Sequence, residues 1–128
     1  IDMAVWSLDH VPVEGSDWPI LIGIQSKEVE WNIAALKFEA PEGEPWLVNS
    51  VEPKLLSRDH EIFLDTINSN SRLFVQVTLS GSSDSLDIHL SGIVDGEPMA
   101  AKVPKTIYRN DSAHISVNTA DDISQSEE

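Results

Sequence analysis

The side chains that titrate near neutral pH in this 128-residue chain are four histidines: His10, His60, His89 and His114. No two stand three or four residues apart, so none forms the helical pair that grips a metal ion. Asp87 and His89 flank a single residue, and in a strand they share a face. That spacing suits a ligand pair, but it equally suits the wet side of a hairpin, and the wet side is the expectation here. The acids Glu28/Glu30, Glu42/Glu44 and Asp84/Asp87 come in close pairs with the chemistry of a calcium site or an acid–base couple. None has the Asp-x-Asp-x-Asp-Gly order of a calcium loop, and in a chain with 22 acids such pairs arise freely. No serine lies in a Gly-x-Ser-x-Gly elbow. No glycine-rich loop with a lysine precedes a helix, so a phosphate cradle is missing. The chain has no cysteine, which excludes thiol catalysis, disulfide staples and thiolate-ligated metals. The expectation is therefore a non-enzymatic protein without a catalytic residue, a metal site or a cofactor.

Aromatic residues carry more information. Trp6, Trp18, Trp31 and Trp46 all fall in the first 46 residues, and the chain has one Tyr and three Phe. Trp6 and Trp31 sit at alternating positions that suit a core. Trp18 lies between Asp17 and Pro19 in a loop, and Trp46 follows Pro45 at a turn. Those two are the rings expected at the surface, where a Trp can anchor an interface or stack on a sugar; the plainer reading is that they cap one end of the fold.

Short alternating segments separated by turn residues must position these groups, which is the pattern of an all-β domain. Ala4, Trp6 and Leu8 alternate with Val5 and Ser7. Residues 19–25 are apolar on both faces and predict a central strand. Val29, Trp31 and Ile33 alternate with Glu28, Glu30 and Asn32, and the strand then shifts face near Ala34 through a bulge. Residues 41–45 read as a hairpin-type turn, with a strand returning from Trp46 to Val51. Residues 55–67 give two readings. Ser57 can cap a helix, with Asp59 and Glu61 in its first turn and Leu56, His60, Phe63 and Ile67 on one face. Ile62, Leu64 and Thr66 alternate as a strand. The helix, near 57–68, is the preferred expectation. Residues 73–79 form the clearest strand, followed by Leu86, Ile88 and Leu90. Asp95-Gly96 is a two-residue hairpin turn into Met99 and Val103, with Pro98 at an edge. A last hairpin joins 106–109 to 114–117. The fold class is mainly β: an antiparallel β-sandwich or barrel of about eight to ten short strands with one short helix. One domain spans 1–118, and 119–128 is an acidic tail without periodicity, expected to be disordered.

Twenty-two acids against eight bases leave a formal charge of −14. Residues 1–60 hold eleven acids and four bases, as do residues 61–128, so no basic half is hidden. Phosphate contacts need Lys and Arg, which argues against direct nucleic-acid binding. No apolar run approaches the ~20 residues that a helical membrane span needs. The charge suits docking on a basic protein, in the manner of an inhibitor, an immunity protein or an assembly adaptor. The candidate surface is Glu14, Asp17, Trp18, Glu42, Glu44 and Trp46, on the premise that the first and third long loops share one end of the fold. Two alternatives are a carbohydrate-binding sandwich that uses exposed Trp, and a nucleic-acid mimic whose spaced carboxylates occupy a DNA- or RNA-binding protein.

Overall fold

The computed structural model describes residues 1–8, 17–103 and 106–109. Ten strands form two antiparallel sheets, and there is no helix among the described residues. The strands are β1 (Asp2–Ser7), β2 (Trp18–Ser26), β3 (Trp31–Glu39), β4 (Leu47–Glu52), β5 (Leu56–Arg58), β6 (Glu61–Ile67), β7 (Ser71–Ser80), β8 (Ser85–Val94), β9 (Glu97–Lys102) and β10 (Ile107–Tyr108). The four-stranded sheet has the order β1-β2-β7-β4. In the six-stranded sheet the order is β5-β6-β3-β8, and both β9 and β10 pair with β8. The two sheets pack face to face as a β-sandwich.

Alternation of side chains makes the two inner faces. Met3, Val5, Ile20, Ile22, Ile24, Val75, Val77 and Leu79 come from the smaller sheet. Trp31, Leu36, Phe38, Ile62, Leu86, Ile88 and Leu90 come from the larger one. β2 is central, as its two apolar faces predict, β7 keeps the alternation read from sequence, and the Asp95-Gly96 turn is present. Asp95 and Gly96 have φ of 51° and 79°, the left-handed pair that a tight two-residue hairpin demands. Pro98 lies on β9, which pairs with β8 on one side.

The shift of face in β3 is also present. Ile33 takes φ 51° and is 70% exposed. The register jumps on either side of Ala34. The bulge lets Trp31, Ala34, Leu36 and Phe38 all point inward, although 31 and 34 have opposite parity. Glu28 and Glu30 lie exposed in the connection before β3, rather than on a strand face.

Three expectations are corrected. The helix near 57–68 is a β-hairpin, β5 to β6, closed by a turn at Asp59-His60 with Asp59 at φ 54°. Helix propensity is local and weak, whereas β6 lies between β5 and β3 and buries Ile62, Leu64 and Ile67. Leu56, assigned to the apolar helix face, is 73% exposed. The strand after Trp46 does not return beside β3. After one bridge, Glu39 to Pro45, the chain crosses to the other sheet and β4 pairs with β7. Finally, the face of β1 is inverted. Met3, Val5 and Ser7 are buried, while Ala4 and Trp6 look outward. Residues 114–117 and the tail 119–128 lie outside the described residues.

Candidate functional site

One end of the sandwich gathers the residues singled out above. Trp18 opens β2 and Trp46 leads the crossover into β4. Their rings meet edge to face, with centroids 5.4 Å apart and planes at 67°. Both are fully buried, which corrects the expectation that they form a surface platform. Each ring is fixed by its N–H. Trp18 Nε1 donates to Ser7 Oγ at 2.9 Å, and Trp46 Nε1 donates to the Ser85 carbonyl at 2.7 Å. Arg109 is buried as well. Its guanidinium carbon lies 5.8 Å from the Trp18 ring centroid, and Nη2 donates to the Asp17 carbonyl at 2.7 Å. Gly81 closes the end from below: a Cβ there would stand 2.8 Å from Trp46 Cε3. The two rings therefore cap the core at this end.

Around this packed base lies a rim of exposed carboxylates. Asp17 precedes Trp18, Glu42 and Glu44 project from the turn before Trp46, and Asp84 precedes β8; all four are exposed. Polar neighbours hold two of them. Asn49 Nδ2 donates to Asp17 Oδ2 at 2.6 Å. Ser83 Oγ donates to Glu42 Oε1 at 3.1 Å, and Ser82 Oγ approaches Glu44 Oε2 at 3.5 Å. The Arg109 backbone N–H donates to the Asp84 carbonyl at 2.8 Å. The structure thus brings Asp17, Glu42 and Glu44 to one end, together with Asp84. Glu14 lies outside the described residues. Two apolar side chains adjoin the rim, Leu47 next to Trp46 and Tyr108 next to Arg109, 48% and 47% exposed. Sequence reasoning missed both. Tyr108 sits beside a buried cation and Leu47 beside a buried ring, and neither neighbour's burial shows in local pattern.

A second polar cluster covers the outer face of the larger sheet. The register aligns Glu61, Lys37, His89 and Lys102 across β6, β3, β8 and β9. Asp87, nearly buried, accepts a hydrogen bond from Thr106 Oγ1 at 2.8 Å and pairs with Lys102 at 3.6 Å. His89 Nε2 lies 3.7 Å from Glu39 Oε1, beyond hydrogen-bond range. Partial burial pulls the His89 pKa below its ordinary value. The Glu39 carboxylate opposes this, Lys102 adds to it, Asp87 opposes it and Lys37 adds to it. At neutral pH the imidazole is therefore mostly uncharged, and its contact with Glu39 is not an ion pair. Asp87 is engaged by Thr106 and Lys102, so the Asp87/His89 pair is part of a strand face of mixed charge. Among the described residues no group of three His, Asp or Glu has metal-binding geometry.

Comparison with protein-family models, with curated proteins and with solved structures found no match.

Proposed function

We propose that this chain is a non-enzymatic binding domain that docks on a basic protein through the acidic end of the sandwich. The carrying observation is the convergence of Asp17, Glu42, Glu44 and Asp84, from three separate chain segments, on one end built over buried Trp18, Trp46 and Arg109. Hydrogen bonds from Asn49 and Ser83 hold two of these carboxylates before any partner arrives. A negative, pre-ordered rim of this kind accelerates encounter with a positive surface and fixes its orientation. Leu47 and Tyr108 supply the apolar contact that the buried tryptophans do not. The net charge of −14 supports the same choice of partner.

The test has two steps. The immobilised domain retains proteins from a lysate of its source organism, and mass spectrometry identifies what high salt releases. The purified hit is then measured against the wild type and against a triple variant, Glu42→Gln, Glu44→Gln and Asp84→Asn. The reading expects a basic protein whose association rate falls with salt, and falls again roughly tenfold or more in the variant. Retention of nothing, or an association rate indifferent to the three substitutions, sinks it.

A further inference from the structure

The inverted face of β1 places Trp6 on the outside of the four-stranded sheet, far from the acidic rim in chemistry and on a different surface. Its neighbours follow from the register. Ala4, Gly23 and Phe74 form one row across β1, β2 and β7. Asp2, Gln25 and Arg72 form the next row, and Trp6 begins the row on the other side. Gly23, in the middle, has no side chain and is itself buried. A Cβ there would stand 3.1 Å from Phe74 Cε1 and 3.2 Å from Trp6 Cζ3. Both rings therefore reach over the same stretch of bare backbone. A glycine inside a central strand marks a close approach to the backbone, and here the two rings make that approach. Here the two rings and the glycine enclose an open cleft of about 220 Å³, with Asp2, Gln25 and Arg72 on its lining.

Phe74 is 53% exposed and Trp6 is half-buried, so apolar ring surface faces solvent. Beside it stand a carboxylate, an amide and a guanidinium. Among the described residues no ion pair or side-chain hydrogen bond engages these three groups. Apolar ring faces beside an unspent set of donors and acceptors match a ligand with one C–H face and an edge of hydroxyls. That is the chemistry of a pyranose ring. Asp2 and Arg72 cancel in charge, and an anionic ligand would have to approach a chain of −14, so the sugar is a neutral one. Drug-sized ligands occupy roughly 300–1,000 Å³, and this smaller cleft holds a single ring. We propose that the Trp6–Gly23–Phe74 cleft binds one neutral pyranose unit of a glycan, stacked on the two aromatic rings with its hydroxyls bonded to Asp2, Gln25 and Arg72.

This proposal does not depend on the acidic end, and its test separates the two. The labelled domain is applied to an array of neutral oligosaccharides, and the best ligand is titrated while tryptophan emission is followed. Trp18, Trp31 and Trp46 are buried, so a shift on binding reports Trp6. Binding is expected to change little between about 0.05 and 0.5 M salt, since no net charge is screened. Trp6→Leu removes a stacking ring, and Gly23→Ala sets a methyl against both rings and pushes them outward. Each should weaken binding roughly tenfold, with the circular dichroism spectrum retained. If neither variant weakens binding, or no neutral glycan on the array is bound, the proposal is overturned. Sedimentation showing a dimer that Trp6→Leu dissociates would overturn it as well, because a second copy then occupies the cleft.

Discussion

Gly81→Ala is the sharpest probe of the packed end. The added methyl would lie 2.8 Å from Trp46 Cε3 and 3.1 Å from both Cδ2 and Cζ3. A contact that short forces a movement. The neighbour is not the loose end of a flexible chain. The Trp46 ring is wholly buried, its N–H is held by the Ser85 carbonyl at 2.7 Å, and the Trp18 ring abuts it at 5.4 Å between centroids. Overpacking of a site that cannot yield costs about 1–3 kcal/mol. For a domain of this size, that corresponds to a fall of about 4 °C in Tm per kcal/mol. The assay is urea unfolding at fixed pH and salt, with the slope checked for constancy so that the midpoint reports stability. A double-mutant cycle isolates the cause. Trp46→Phe removes the part of the ring that the methyl strikes, and by itself costs stability through the lost N–H bond and the lost volume. In that background Gly81→Ala should cost at least ~1 kcal/mol less than in the wild type. A wild-type penalty below about 0.5 kcal/mol, or the same penalty in both backgrounds, would show that the end relaxes freely, and the argument from close approach would fail.

Trp31 is buried like Trp18, but its Nε1 meets no acceptor among the described residues. Trp31→Phe should therefore cost about 1 kcal/mol less than Trp18→Phe, which also breaks the buried bond from Trp18 Nε1 to Ser7 Oγ. Parallel urea curves decide it, and equal or reversed costs refute the ranking. For His89, burial lowers the folded pKa below the unfolded value of 6.5. Well above pH 6.5 both states are neutral there and the group is without effect. As pH falls through 6.5, the unfolded chain takes the proton first, so stability is lost until pH passes the folded pKa. The wild type minus His89→Gln stability difference should fall as pH drops through 6.5. An NMR titration that places His89 above 6.5 would reverse the sign.

What was legible in the sequence was local. Leu73 to Leu79 alternates over a full strand, and Asp95-Gly96 specifies its own turn, so β7 and the β8–β9 hairpin could be drawn without a partner in view. The bulge near Ala34 left a trace as well, because the apolar parity changes between Trp31 and Leu36. What was hidden depends on distant residues. Trp46 looks like a surface ring until Ser85, 39 positions on, supplies its acceptor and Gly81 makes room for it. Trp18 is decided by Ser7, a small polar side chain that alternation alone sends outward. In β1 both faces carry apolar residues, and the phase that turns Trp6 outward buries Met3, Val5 and Ser7 together, with Ser7 meeting the Trp18 N–H. Residues 55–67 offered two periods at once, and the pairing of β6 with β3 chose between them. The acidic rim was legible as composition, and its convergence came from the crossover at Trp46.

The strand order carries a consequence for synthesis. In the four-stranded sheet, β7 stands between β2 and β4. In the six-stranded sheet, β8 lines the inner edge of β3 and receives β9 and β10. Each sheet thus waits for a strand made in the second half of the chain. A nascent chain that has emerged only to Asn70 holds β1 to β6, yet β2 and β4 have nothing between them and β3 is open along one side. In that fragment Trp46 lacks the Ser85 carbonyl that receives its N–H, and the inner faces lack Val75, Val77, Leu86 and Ile88. The ribosome therefore delivers this fold late and nearly at once. Until β7 and β8 arrive, the exposed edges of β2 and β3 are open to pairing with other chains, and a large negative charge, already −7 within the first sixty residues, keeps such chains apart.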